Sequence, residues 1–202
     1  RGQRRGFSIW VWEYRAKSLE EGLPRILEAS PATVVLLDGV KYSPNVGGIL
    51  RNAGLLGTTA VALGTTSGTP DYSEKFHKNA LRISMAYVSE SPFLFVAPVD
   101  CHDVVNRLKE EGFVAVAMET ADRSVDGVPQ SDLYDADLTA PRLLLVAGAE
   151  DRGIPDSLLG LCDLQVVIAT SQPGTPSFNV QASCLLASAE RYRQLRQRAQ
   201  KA

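Results

Sequence analysis

Hydrophobic and polar residues follow two different patterns along the middle of the chain. Short runs that are apolar throughout predict buried strands, because a strand covered on both faces of a sheet has no polar side. Stretches with apolar residues at helical spacing lie between these runs and predict helices. The predicted strands cover residues 33–38, 59–63, 113–118, 143–147 and 164–168, and residues 83–88 fit an edge strand.

The helical stretches have recognisable starts and stops, such as Asp100 before one helix and Gly57 and Gly112 after two others. The predicted helices cover residues 46–56, 72–81, 100–111 and about 179–198, with a short helix opened by Pro155. Strands that alternate with helices indicate an α/β fold, in which helices flank a mostly parallel sheet.

The first residues differ in character from the rest. Residues 7–12 fit a strand, and residues 17–29 fit a helix that Pro24 interrupts or kinks. We therefore expect residues 1–30 to form a short N-terminal extension. Its length and character are compatible with one part of a truncated substrate-binding region. Residues 31–202 are expected to form the main domain.

Composition and charge narrow the class of protein. The chain has 202 residues, 45% of them hydrophobic and 22% charged, which is typical of one globular domain. The formal net charge of −2 argues, taken whole, against a nucleic-acid partner. However, residues 1–15 carry +3, residues 190–202 carry +4, and the remainder carries −9. The basic ends are either solubilising tails or two arms that contact phosphate.

Cysteine usage and apolar runs indicate the compartment. The 3 cysteines are an odd number without a C-x-x-C pair, which fits free thiols in a cytoplasmic protein. Cys184 lies in an apolar helical run and is expected in the core. Cys101 and His102 are adjacent and lack metal-ligand spacing, so no metal is expected. No apolar run is long enough to predict a membrane span.

Common nucleotide and hydrolase motifs are missing. The chain has no G-x-G-x-x-G fingerprint and no G-x-S-x-G elbow. Gly148 and Gly153 have the spacing of a phosphate-binding loop, but Ile154 and Pro155 follow where Lys and Ser or Thr are needed.

Polar residues instead collect in loops that follow three of the predicted strands, where open α/β sheets bind ligands. In the first loop, Asn45 can cap the next helix. Arg51 is the charged residue of an otherwise apolar helical run. Arg51 is either solvated or placed to hold phosphate or a developing oxyanion.

The other two loops allow similar alternatives. Residues 148–153 form either a tight turn that carries charged side chains or a loop whose glycines let its backbone approach a ligand. In the third loop, Ser177 or Asn179 can cap the last helix, whose first N–H groups are also free for an anion or polar ligand.

Together the three loops resemble the motifs of the TrmH branch of the SPOUT RNA methyltransferases. The family patterns resemble N-x-G-x-x-x-R, G-x-E-x-x-G and S-L-N-V. This chain has N-V-G-G-I-L-R at 45–51, G-A-E-D-R-G at 148–153 and S-F-N-V at 177–180. The resemblance covers roughly residues 33–195. It departs at Phe178, which replaces Leu, at Ala169, where a proline often stands, and at Gly174, which is shifted by about one position.

The resemblance implies a SPOUT fold with a C-terminal trefoil knot and a homodimer. It also implies S-adenosyl-L-methionine as cofactor and methyl transfer to a ribose 2′-OH of rRNA or tRNA. The implied catalytic residues are Arg51, Asn45, Glu150, Ser177 and Asn179. The implied cofactor-binding residues are Ala147, Gly148, Gly153, Ile168, Thr170, Ser177 and Phe178.

The resemblance also suggests roles for these side chains. Arg51 stays protonated, so it would stabilise the developing alkoxide or orient a phosphate. Asn45 would fix Arg51 or the ribose, and Glu150 would orient Arg51 or the RNA. Ser177 and Asn179 would order the third loop and the reacting group.

Three other readings stay open. A protein of the same fold with lost or altered catalysis would bind RNA or a small molecule. An unrelated α/β enzyme would use another nucleotide. A third possibility is a methyltransferase that acts on a substrate other than RNA.

Overall fold

The computed structural model describes residues 15–16, 18–66, 74–84, 94–171 and 177–201. The strands in these ranges are β1 Arg15–Ala16, β2 Ala32–Asp38, β3 Ala60–Thr65, β4 Leu94–Asp100, β5 Val114–Met118, β6 Gln130–Asp132, β7 Arg142–Ala147 and β8 Leu164–Val167. The helices are α1 Leu19–Glu28, α2 Ser43–Leu55, α3 Glu74–Ile83, α4 Cys101–Glu110, α5 Asp156–Leu159 and α6 Val180–Lys201.

All of these strands join one sheet in the order β1-β4-β3-β2-β7-β5-β8-β6, and every pair is parallel. The two central strands, β2 and β7, are buried along almost their whole length. This confirms the predicted parallel sheet. Because the strands run in the same direction, their carboxyl ends lie at one edge of the sheet.

Successive strand residues face opposite sides of the sheet and enter two separate cores. In β2, Val35 and Leu37 pack in the core that α2, α3 and α6 cover. Val34 and Leu36 pack in the core that α1, α4 and α5 cover. We call these two sets of helices the α2/α3/α6 layer and the α1/α4/α5 layer.

Most predicted elements are confirmed, with ends shifted by a few residues. Asp100 caps α4 as predicted, since its carboxylate accepts hydrogen bonds from the backbone N–H groups of His102 and Asp103 at 2.8 and 3.1 Å. Gly57 and Gly112 follow their helices with φ of 74° and 79°.

The prediction missed the two-residue β1, β4 and the three-residue β6. Pro98 obscured β4, because proline cannot donate to a strand ladder. It lies where the register between β3 and β4 shifts, between the pairs Ala62–Val96 and Gly64–Val99. The predicted edge strand at 83–88 is wrong at its start, where Ile83 ends α3. Its remainder from residue 85, like the predicted strand at 7–12, lies outside the described residues.

The described part of the predicted extension packs in the core that the α1/α4/α5 layer covers. Helix α1 begins after Ser18, whose hydroxyl accepts from the backbone N–H of Glu21 at 3.2 Å, and it continues through Pro24. Leu23 and Ile26 are buried beneath the sheet, and β1 pairs with β4.

The last helix corrects the charge distribution expected from the sequence. Arg191 is only 2% exposed, so it is not part of a solvated basic arm. It donates to Thr33 Oγ1 at 2.7 Å, to the carbonyls of Ala32 and Ala140 at 3.0 Å, and to the carbonyl of Leu138. Burial lowers the pKa of Arg191 to about 10, which leaves it charged at neutral pH.

These contacts fasten α6 to the amino edge of the sheet, where β2 and β7 begin. Glu190 is also buried and pairs with Arg193, with two contacts of 2.5 and 2.7 Å. The exposed basic end of α6 therefore consists of Arg193, which is already paired, and of Arg196, Arg198 and Lys201.

All 3 cysteines are free and buried, and Cys184 lies in the core as predicted. Burial raises the pKa of Cys162 and of Cys184 to about 12. None of the helices in the described ranges is long and apolar enough to cross a membrane.

Two adjacent glycines in α2 provide a matched test of helix packing. A Cβ on Gly47 would lie 2.6 Å from the backbone oxygen of Ala80 in α3, whereas one on Gly48 would meet the movable end of the Gln181 side chain. We expect Gly47→Ala to lower the free energy of unfolding by about 1–3 kcal/mol, because the clash outweighs the gain in helix propensity. Gly48→Ala is expected to be neutral or mildly stabilising. Urea denaturation measures both, and equal effects would contradict this account.

Candidate functional site

A cleft of about 700 Å³ opens at the carboxyl edge of the sheet, beyond β5, β7 and β8 and beside the start of α6. Its walls include all seven residues expected at the cofactor, which are Ala147, Gly148, Gly153, Ile168, Thr170, Ser177 and Phe178. Three of the expected catalytic residues, Glu150, Ser177 and Asn179, also line it. Asn45 and Arg51 lie on the neighbouring helix α2.

A pair of hydrogen bonds joins the first motif to the second. Asn45 Nδ2 donates to Glu150 Oε1 at 2.8 Å, and the backbone N–H of Lys41 donates to Glu150 Oε2 at 3.2 Å. Lys41 Nζ also forms an ion pair of 2.6 Å with Asp151, which lowers the pKa of that carboxyl. The loop before α2 and the loop after β7 are thus fixed to each other on the rim of the cleft.

Asn45 is free for this contact because it does not cap α2, contrary to the prediction. The helix begins at Ser43, and the residue before it, Tyr42, makes no side-chain cap. Pro44 is in the first turn, where its fixed φ favours a helix and its missing N–H costs nothing. Asn45 is therefore a first-turn residue whose amide points to Glu150.

Arg51 is exposed and lies in the third turn of α2. It lies six positions after Asn45, which places it about 9 Å along the axis and about a third of a turn around it. The two side chains therefore leave different faces of the helix. Arg51 follows Gly47 by one turn, on the side that packs against α3. Its expected contacts with Asn45 and Glu150 stay predictions.

The second motif is the tight turn that one interpretation of the sequence predicted. Gly153 has φ of 68° and its N–H donates to the carbonyl of Ala149 at 2.9 Å. A Cβ on Gly148 would overlap the backbone of Gly153. Both glycines are thus required by the closure of the loop itself, which holds Glu150 at its tip.

Sequence reasoning missed two side chains that brace this loop from the β5–β6 connection. The carboxylate of Glu119 accepts from the N–H groups of Ile154 and Thr120 at 2.7 and 2.9 Å. Arg123 donates to the carbonyls of Arg152 and Ile154, each at 2.8 Å. Both residues line the cleft.

A signal for Glu119 was present in the sequence, since it directly follows a predicted strand, as the three motif loops do. Arg123 had no such signal, because it lies in the middle of a polar connection. Its role depends on β5 being the neighbour of β7, which only the sheet order reveals.

The third motif starts α6. Asn179 Oδ1 accepts from the N–H of Ala182 at 2.8 Å, so Asn179 is the cap that the sequence allowed. Ser177 and Phe178 are exposed on the wall of the cleft. Residues 172–176, which include the shifted Gly174, lie outside the described residues.

The lining combines three kinds of group. Met118, Val166 and Ile168 give an apolar floor, the glycine-containing loops give backbone polar groups, and the rim carries carboxylates. This suits a ligand with a flat apolar part and polar ends. Among the residues that the structure describes, no cluster of three or more His, Cys, Asp or Glu side chains is placed to hold a metal ion.

Comparison with known proteins identifies the family. Residues 32–188 match the SpoU rRNA Methylase family, and the chain belongs to that family.

Two curated relatives and one solved structure illustrate the similarity. An uncharacterized tRNA/rRNA methyltransferase of Mycobacterium tuberculosis is 34% identical over 82% of this chain and 53% of its own length. The 23S rRNA (guanosine-2'-O-)-methyltransferase RlmB of Nitrosomonas europaea is 33% identical over 91% of this chain and 64% of its own length. The chain thus spans between half and two thirds of the length of these relatives.

The solved structure that resembles this chain is that of the SpoU methyltransferase AviRb from Streptomyces viridochromogenes in complex with the cofactor AdoMet. It has a TM-score of 0.67 and 24% identity, and covers 85% of this chain and 61% of AviRb. This likeness supports the fold.

The contribution of Glu119 to holding the loop of the second motif can be measured by amide hydrogen exchange. We expect Glu119→Ala to speed amide hydrogen exchange at Ile154 by about 5- to 100-fold, because the N–H loses its acceptor. Glu119→Gln keeps one acceptor oxygen and should restore part of the protection. Glu110→Ala, which removes an exposed carboxylate of α4, serves as the control. Unchanged protection of Ile154 in Glu119→Ala would show that the carboxylate does not hold the loop.

Proposed function

We propose that this chain is a methyltransferase domain that transfers a methyl group from S-adenosyl-L-methionine to a ribose 2′-OH of rRNA or tRNA. Membership of the SpoU family and the named activities of its relatives support this function. The observation that carries it is the convergence of the three motifs. Asn45 bonds to Glu150 on the rim of a cleft that all the expected cofactor residues line.

The cleft fits the proposed cofactor in size and chemistry. Its volume of about 700 Å³ lies within the range of pockets that enclose ligands of this size. The apolar floor suits an adenine ring, and the carboxylates of Glu119 and Glu150 suit the positive charges of the ammonium and sulfonium groups. Bound there, S-adenosyl-L-methionine would supply an electrophilic methyl group, so the reaction needs no metal.

The protein side chains then have to position and stabilise a reacting ribose. The Arg51 guanidinium stays protonated, so it acts as a fixed cation that stabilises negative charge developing on the 2′-oxygen or orients the adjacent phosphate. The Asn45–Glu150 pair holds the start of α2 against the second motif, which keeps the helix that carries Arg51 in a fixed position. Asn179 orders the third motif by capping α6.

Three further features are part of the proposal and rest mainly on the resemblance. A trefoil knot would be formed by the C-terminal third of the domain. A homodimer would cover exposed apolar side chains of α2 and α6, such as Leu55 and Leu185. A cytoplasmic location fits the buried free thiols.

The proposed function is tested by mixing the purified protein with labelled S-adenosyl-L-methionine and unmodified transcripts of rRNA and tRNA. We expect label in one RNA class, located at a ribose by mass spectrometry. Isothermal calorimetry with the cofactor separates this function from a binding protein of the same fold. A folded protein that binds the cofactor but labels neither RNA would contradict the proposal.

The role of Arg51 is tested by Arg51→Ala. Loss of the cation should lower the rate of transfer by about 100-fold or more, because charge in the transition state loses its partner. Cofactor affinity in calorimetry should stay nearly unchanged, since Arg51 lies outside the cleft lining. Arg51→Lys should recover only part of the rate, and Arg25→Ala on α1 is the control. Wild-type turnover in Arg51→Ala would exclude this role.

A further inference from the structure

The two helical layers carry opposite charge. Helices α2, α3 and α6 contain nine basic residues, of which Arg191 is buried, and two acidic residues, whereas α1, α4 and α5 contain three basic and six acidic residues. A polyanion is therefore attracted to the side of the sheet that the α2/α3/α6 layer covers.

The rim of the cleft does not attract a polyanion by itself. Among the described residues, four carboxylates line it, and they are Glu119, Asp122, Glu150 and Asp151. The two basic residues of the lining are already engaged, because Arg123 pairs with Asp156 at 2.8 Å and Arg152 lies 3.7 Å from Asp151. An RNA that brings a ribose here needs its phosphates held elsewhere.

Helix α3 is better placed for this task than the basic end of α6. Arg191 is the twelfth residue of α6, so the exposed basic residues after it lie more than about 17 Å along the helix from the cleft. They extend beyond the opposite edge of the sheet. In contrast, α3 follows β3 and starts at the carboxyl edge, and its Lys75, Lys78 and Arg82 are exposed at helical spacing.

An exposed aromatic residue stands between the cleft and α3. Tyr42 is 62% exposed. The preceding residue, Lys41, contacts Glu150 and Asp151 on the rim. The following residue, Ser43, accepts a hydrogen bond of 2.6 Å from Asn79 of α3. Tyr42 thus occupies the route from the rim to the basic face of α3.

We propose that Tyr42, Lys75, Lys78 and Arg82 form a docking track for single-stranded RNA that leads into the cleft. This inference rests on the proposed function. The Tyr42 ring stacks on an unpaired base next to the reacting ribose, and the three cations contact the phosphates of the nucleotides beyond it. Such contacts position the strand without selecting its sequence.

The track is tested with Tyr42→Ala and with Lys75→Ala/Lys78→Ala in the full chain, using the unmodified rRNA and tRNA transcripts. The double variant should weaken RNA binding about tenfold near physiological salt and reduce the slope of log affinity against log salt by about one to two. Tyr42→Ala should weaken binding about 5- to 100-fold and leave the slope nearly unchanged. Cofactor affinity and melting temperature should not change in either variant, because the side chains are exposed.

Two controls match these variants. Tyr134→Ala removes a ring that is 55% exposed but follows β6, the last strand in the sheet order, away from β3 and α3, and Arg25→Ala removes a cation from the α1/α4/α5 layer. A third variant, Arg196→Ala/Arg198→Ala, tests the basic end of α6.

The outcomes separate the two proposals. If wild type methylates RNA and the track variants bind it normally, or if only the α6 variant weakens binding, the track is wrong and the proposed function stands. If wild type binds the cofactor but neither binds nor methylates RNA, the proposed function fails, and the track fails with it.

Discussion

The site depends on the fact that every described strand runs in the same direction. A parallel strand cannot return directly to its neighbour, so each connection has to cross the sheet, and each strand leaves it at the same edge. The polar loops after β2, β5, β7 and β8 are therefore brought together although they are far apart in sequence. The same geometry separates two tasks. The carboxyl edge carries the cleft, and the amino edge carries the contacts of Arg191 that attach the last helix to the sheet.

Much of this arrangement could be predicted from the sequence, because burial leaves a simple pattern. A strand covered on both faces is apolar throughout, and β2 and β7 were recognisable for that reason. The seven residues that the resemblance implied at the cofactor lie together because each ends or follows one of two nearby strands, β7 and β8. The partner of Asn45 could not be predicted, since the sequence equally allowed a helix cap. Glu119 and Arg123 act on a loop that becomes their neighbour only through the order of strands in the sheet.

Charge was the least reliable guide in the sequence. Arg191 lies among other arginines, and nothing in the sequence distinguishes it from a residue with a solvated side chain. In the structure it donates to carbonyl groups at the start of β2 and in the loop before β7, and buried carbonyls need such donors. The whole-chain charge of −2 likewise hides a division between a basic and an acidic helical layer. Only the assignment of helices to the two faces of the sheet reveals that division.

The braced loop of the second motif has a consequence for ligand capture. Contacts from the start of α2 and from the β5–β6 connection hold the loop from several sides, so its backbone is already ordered before a ligand arrives. The conformational entropy lost by this segment is therefore part of the cost of folding and not of binding. Affinity then depends on these bracing contacts as well as on direct contacts with the ligand, and the cleft behaves as a preorganised receptor whose rigidity is set by its surroundings.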